Sequence, residues 1–514
     1  MMKKVMNQKG RKYLAVFLLL LCLTAVVCAV ASWYHTKTGE DIAAPEPMVE
    51  ELFGNKKSAF GNVTAPASFD WKQCDGTTLD FIVENNINAN ILSKECAKFT
   101  EVTGINVRFR NVDFETMTDQ INMEFISQAG QYDLIYIDPY QTLPRFSDSL
   151  EDLNYFEKNE EYPHIVGGLE SFSEEQVKIC SYYLDEDKLC AVPFDSTTMI
   201  LYYRKDIFEK YAEKMTADLG YVPSPGSREF TWERYLEVAD WLEKNVSREE
   251  LQYPCVTMAA HHNSSYVEFS SIMSAYGGDY FEDEDVSLLG TGSEMEIQSN
   301  SEGFVKALAV YQKLTRQTTK QSGRLNWDQS AELFKKGKVG MMVNWDENAA
   351  MIENENDSAV AGKTGYSVLP YGDSKSANIY GGSGVGINKY ISEDHKLASW
   401  MFIVWCTSPE IQILTFLEKE GGNMPTRSSL LHLIAAQYIM ILPQAPAVIN
   451  AQKQSYVYYR PKLETEYEFE KMMQENLETL LLEEVTPEEV GENIRTEWMA
   501  IRQEHLSENV LPSL

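Results

Sequence analysis

Basic residues are scarce in this chain, 45 against 77 acidic ones, and the formal net charge is −32. A surface so acidic repels nucleic-acid phosphates and anionic membranes, so neither is expected as a binding partner. The short patterns that carry much of catalytic chemistry are also missing: there is no nucleophile elbow, zinc-ligand spacing or phosphate loop. The Gly-rich run from Tyr380 to Ile387 has the spacing Gly382-x-Gly384-x-Gly386, which is not G-x-G-x-x-G, and no helix follows it at once. His261 and His262 are adjacent and point apart, a poor metal pair better read as loop residues. No cofactor or metal is implied.

Charge is absent altogether from one stretch, Tyr13 to about Trp33, which follows Lys3, Lys4, Lys9, Arg11 and Lys12. A basic start before an apolar run is an export signal. Its fate stays open among three outcomes. The run reaches the ~20 residues that span a bilayer, Ala29-Val30-Ala31 is a cleavage pattern, and Cys28 is a candidate for lipid attachment. We expect residues 1–33 to be a signal or membrane anchor, with a membrane-held form first, and the protein to lie outside the cytoplasm. Residues 34–77, with Pro45, Pro47 and Pro66 and no sustained apolar periodicity, are expected to be a spacer.

The remaining chain is too long for one ordinary domain, and 44% hydrophobic residues suffice for two buried cores. Thr78–Val83, Ile105–Arg110 and Tyr132–Ile137 read as strands, separated by helical patterns through Ile91, Cys96 and Phe99 and over Phe114–Ala129. Strand–helix alternation predicts an α/β fold with a mostly parallel sheet flanked by helices. Ligands of such sheets lie beyond the carboxyl ends of the strands. Asp138 and Tyr140 leave the third strand there, although a Pro-turn with a solvated acid reads equally well.

Leu189–Val192 predicts a short strand stopped by Pro193, and Met199–Tyr203 a second. Between them stands Asp195, expected to be exposed, followed by the hydroxyls of Ser196, Thr197 and Thr198. Thr231 reads as the N-cap of a helix whose Trp232 is core. Asp328–Lys336 reads as a helix stopped by Gly337, and Lys338–Asn344 as a strand with Trp345, Asp346 and Glu347 at its end.

The wording of Leu189–Phe208, with its Pro-Phe-acid unit leading into Leu-Tyr-Tyr-Arg-Lys-Asp, resembles the carbohydrate-type solute-binding proteins of bacterial ABC transporters, such as those for maltose and multiple sugars. So do Tyr132–Asp138, the phrase Glu332–Met342 before Trp345, Gly421–Arg427, and Tyr459-Arg460-Pro461 with the acidic helix that follows. The matches run from about residue 78 to 505 in the family's order. Val27 departs from the small residue that lipoprotein signals of this family place before the lipidated cysteine.

The resemblance implies a two-lobed periplasmic-binding-protein-like fold with the ligand in a cleft between lobes. Lobe 1 is expected at 78–195 with 388–425, and lobe 2 at 196–387 with 426–514. The ligand-binding residues it implies are Asp138, Tyr140, Asp195, Tyr266, Trp345, Gly381, Gly382 and Arg427. Trp345 would stack on a sugar ring and lie only partly buried in an open form, so that Trp345→Ala would leave ligand-free folding nearly unchanged. The function implied is a receptor, expected as a monomer, that captures a sugar and delivers it to ABC-transporter permease subunits. A surface sugar sensor, or a glycoside hydrolase using Asp138 and Asp195 as paired carboxylates, are the alternatives. Of the eight cysteines, Cys180 and Cys190 bracket an expected hairpin turn at Asp185–Lys188; a bridge between them and free buried thiols are both compatible with export.

Overall fold

The structure, a computed structural model, describes residues 63–282, 285–290, 295–418, 423–434 and 442–509. The expected signal or anchor, Cys28, most of the expected spacer, and Gly421 and Gly422 lie outside them. The strands are β1 (Thr78–Glu84), β2 (Asn106–Val112), β3 (Leu134–Ile137), β4 (Val192–Asp195), β5 (Met199–Arg204), β6 (Tyr253–Cys255), β7 (Val339–Trp345), β8 (Thr364–Ser367), β9 (Asn378–Ile379), β10 (Ser383–Ile387) and β11 (Val457–Tyr458).

They form a five-stranded sheet of order β2-β1-β3-β10-β4, a four-stranded sheet of order β6-β7-β5-β8, and the pair β11-β9. In the first, β2, β1 and β3 are parallel, as strand–helix alternation requires. Asn86 caps the intervening Ile87–Thr103 helix by accepting a hydrogen bond from the Ala89 amide, and Gly104 ends it at φ +74°, a left-handed conformation that glycine adopts without strain. The sheets are less parallel than expected. β10 runs antiparallel to β3 and β4, and β5 antiparallel to β7 and β8. The chain passes from β4 into β5, and from β9 into β10, without an intervening helix, and each of these links leads from one sheet to another.

Three boundaries differ from the sequence-based expectation. β4 starts at Val192 and contains Pro193, which pairs with Gly384; β4 is an edge strand, where a missing amide hydrogen leaves no inner ladder bond unmade. The chain returns to the first sheet after Tyr380–Gly382, because Ser383–Ile387, expected in lobe 2, is a strand of that sheet. Residues 63–77 are not all spacer: Val63, Phe69 and Trp71 pack against the first core, and Cys74 is buried there.

Each main sheet has its own core. Phe81, Phe99, Phe402 and Trp405 meet ring to ring beneath the first; Phe269, Phe304, Tyr280, Phe469 and Trp498 do so beneath the second. The expected Thr231 cap forms, with Trp232 in the core. Among the described residues no single helix is long and apolar enough to cross a membrane. Cys74, Cys96, Cys180, Cys190, Cys255 and Cys406 are all free and buried. Cys180 belongs to the Glu174–Ser181 helix rather than to a strand of a hairpin, so the expected turn between two facing strands does not form.

Candidate functional site

The carboxyl ends of β1, β3 and β4 converge with that of β7, and each strand delivers an acid there. Asp138, just past β3, accepts hydrogen bonds from the amides of Tyr140 (2.9 Å) and Gln141 (2.6 Å), so its side chain fixes the turn that carries Tyr140. Tyr140 is fully buried; its hydroxyl donates to the Tyr380 carbonyl (3.3 Å) and the Arg460 guanidinium lies 4.1 Å from its ring centroid.

Asp195, expected to be exposed, is 1% exposed. It accepts hydrogen bonds from Asn86 Nδ2 (3.0 Å), the Tyr136 hydroxyl (3.3 Å) and the Ser196 amide (2.8 Å). The residue that caps the first helix thus also holds the crossing acid. Asp346, beyond β7, accepts from the Thr198 amide (2.6 Å) and the Thr197 hydroxyl (3.1 Å), tying the same crossing to the second sheet.

Trp345 ends β7 as expected, but it is 9% exposed and belongs to the second core. Its ring packs edge-on against Trp327 at 6.1 Å and covers Gly381, where a Cβ would stand 2.6 Å from the indole. Gly382 is crowded by the Tyr380 hydroxyl and the Asp195 carbonyl, so neither glycine has room for a side chain.

Two further expected ligand residues are buried. Tyr266 lies within the Asn263–Ala275 helix, in the second core against Tyr280 and Phe469, with its hydroxyl toward Glu466 (3.5 Å). Arg427 is buried in the first lobe, donating to the carbonyls of Val166 (2.6 Å) and Thr407 (2.8 Å) and to Ser171, with its guanidinium 4.4 Å from the Phe172 ring centroid. Burial pulls its pKa down to about 10. Those carbonyls use its charge to cross-link loops.

The sequence reading missed Glu84, Glu347, Trp327 and Arg460. Glu84 ends β1. Its pKa is raised to about 8 by burial, then by the charges of Asp195 and Asp138. Glu347 is pushed well up by burial, then by Asp195, Glu84 and Asp346. Asp346 is raised to about 7 and Asp195 to about 6, chiefly by burial, against the hydrogen bonds each accepts. The signal for Glu84 was available, since an acid at the carboxyl end of the first strand falls under the same rule that singled out Asp138.

These shifts set a pH dependence. Each acid sits above its unfolded value (4.5 for Glu84), so between the two values the folded chain holds a proton the unfolded chain has lost. Ligand-free stability is therefore expected to fall as pH rises from about 5 to 7. Above that, Lys462, which burial pulls down to about 7, contributes the opposite slope. A melting temperature that stays level or rises between pH 5 and 7 would contradict this.

A family model described as bacterial extracellular solute-binding protein matches residues 94–437. The chain belongs to that family. Solved structures share the fold: maltose-bound MalE3 of T. maritima superposes with a TM-score of 0.67 at 22% identity, covering 83% of this chain and 100% of that one. A solute-binding protein from Agrobacterium radiobacter K84, in complex with ribitol, gives 0.66 at 22% identity, covering 83% and 99%. A probable amino-acid ABC transporter periplasmic-binding protein of Sinorhizobium fredii is 23% identical over 403 residues, 77% of this chain and 83% of that protein. Membership places this solute-binding protein outside the cytoplasm. The chain passes between its two main sheets at Ser196–Thr198 and at Tyr380–Gly382, and the acids stand beside these passages.

Proposed function

We propose that this solute-binding protein captures a sugar or oligosaccharide between its lobes and hands it, chemically unchanged, to the permease subunits of an ABC transporter. The observation that carries this reading is the combination at one place of Trp345 with Asp138, Asp195, Glu84 and Glu347. The apolar face of a sugar ring packs on an indole while its hydroxyls donate to carboxylates. Tyr140, Gly381 and Gly382 complete the wall, the glycines by letting backbone approach a ligand. Membrane tethering through residues 1–33 and action as a monomer belong to the same proposal.

Hydrolysis fits less well. Asp138 and Asp195 are held as hydrogen-bond acceptors by backbone amides and side-chain donors, and the sequence carries no catalytic motif beside them. A thermal-shift screen against mono- and oligosaccharides, with amino acids included because the Sinorhizobium relative is named for them, tests the reading. A ligand at 100 times its Kd stabilises by about 2.7 kcal/mol, several degrees of melting temperature. A shift by amino acids and by no sugar would overturn it. Release of reducing ends from a bound oligosaccharide, abolished in Asp195→Asn, would favour the hydrolase.

A further inference from the structure

The acids where the lobes meet are short of positive charge. Among the described residues no lysine, arginine or histidine forms an ion pair with Glu84, Asp195, Asp346 or Glu347, although elsewhere many carboxylates have such partners. Arg460, the buried cation nearby, is engaged with Glu470, Tyr140 and Tyr266, and among these acids it is Asp138 that feels its charge. Glu84 ends the first sheet's β1 and Glu347 follows the second sheet's β7, and burial, then the charge of Asp195, raises the cost of ionising both, with Glu84 adding to that of Glu347.

Two buried polar atoms at the same place have no hydrogen-bond partner of good geometry among the described residues: Oε2 of Glu347 and Oγ of Ser383, whose neighbour is the Tyr136 hydroxyl. Ser383 is 1% exposed and stands across from Asp195 in the β10–β4 pairing. Native structures rarely leave such atoms unmatched, so their presence beside unpaired carboxylates points to a missing donor. That donor is not a metal ion, since among the described residues no three His, Cys, Asp or Glu side chains are grouped to hold one. Trp345 and Trp327 add aromatic faces with no lysine or arginine of the described residues over them, and such faces attract organic cations.

We infer that the solute carries a protonated amine, seated between Glu84 and Glu347 beside Trp345, and hence that the ligand is an amino sugar or an oligosaccharide containing one. An ammonium group supplies three donors and a positive charge, matching the unpaired carboxylates and the orphaned oxygens in one step. This rests on the sugar reading above, and the two can fail separately.

The test is calorimetric titration of the purified protein at pH 6.5 with glucosamine oligomers of two to four units, their N-acetylated counterparts, neutral maltooligosaccharides, and 1,4-diaminobutane. Expected is binding of the glucosamine oligomers at least tenfold tighter than of the N-acetylated forms. Glu84→Gln and Glu347→Gln should each remove most of that preference while leaving the ligand-free melting temperature unchanged or higher, because burial already keeps both side chains from ionising without the ligand. A merely structural role for these acids would instead lower the melting temperature and leave the preference intact. N-acetylated or neutral oligosaccharides binding as tightly as the amines would overturn the inference and leave the sugar reading standing. Binding of 1,4-diaminobutane with no sugar bound would keep the cation and overturn the sugar. No binding by any amine probe would overturn the inference.

Discussion

Replacing Arg460 by methionine is expected to destabilise the folded protein by about 3 to 5 kcal/mol, the cost of leaving buried carboxylates without their cation. Arg460 is 4% exposed, and its Nη1 lies 3.5 Å from Glu470 Oε1. Its guanidinium covers Tyr140 of the first lobe at 4.1 Å and Tyr266 of the second at 5.6 Å. Glu466 and Glu470 stand beside it, Glu470 raised to about 7 by burial with Arg460 opposing the shift, and Asn263 donating to it. Methionine keeps the volume and removes the charge, so the loss reports on electrostatics rather than on a cavity. Its pH dependence follows. At pH 8 the stranded acids must ionise or hold protons at a cost, whereas near pH 5 they are already protonated, so the loss should be larger at pH 8. Urea unfolding at both values measures it; a loss below about 1 kcal/mol at pH 8 would show that Arg460 is not the counter-charge of this site.

Trp345→Ala is expected to reduce both stability and sugar affinity. On sequence alone the residue is a cleft platform whose removal barely touches ligand-free folding. The structure gives it a second role: it buries Gly381, meets Trp327, and its carbonyl accepts the Tyr202 hydroxyl at 2.5 Å. Truncating a tryptophan so placed costs about 3 to 5 kcal/mol. The two roles separate in Trp345→Phe, which keeps an aromatic face over Gly381 with less area. We expect the phenylalanine variant to recover most of the melting temperature and only part of the affinity. Full affinity in Trp345→Ala would mean that the indole is core and no ligand surface.

The difference at Trp345 shows which kind of information the sequence carries. Strand–helix alternation from Thr78 to Ile137, the Thr231 cap and the Gly337 stop, at φ +73°, are local, and they were legible because propensity and capping act within a few residues. The strand-end rule found Asp138 by the same locality, and applies equally to Glu84, the residue directly after the first strand as read. Asp195 was read as exposed because its shield is not local: Asn86 comes from 109 positions earlier and Tyr136 from 59. Arg460 reaches Tyr140 from the far end of the chain, a neighbour no window of sequence contains. β10, expected in lobe 2, pairs in the first sheet, where packing demands its glycines: a Cβ at Gly386 would stand 2.8 Å from the Cys190 carbonyl and one at Gly384 2.7 Å from the Ala191 side chain.

Equilibrium dialysis of the purified protein against the tightest-binding sugar of the screen, followed by mass measurement of the recovered ligand, addresses the receptor function most directly. The expected result is one sugar bound per chain, returned with its mass unchanged after prolonged incubation. Recovery of a shortened or otherwise altered sugar, or saturation at no sugar concentration, would contradict capture without chemistry between two closing lobes.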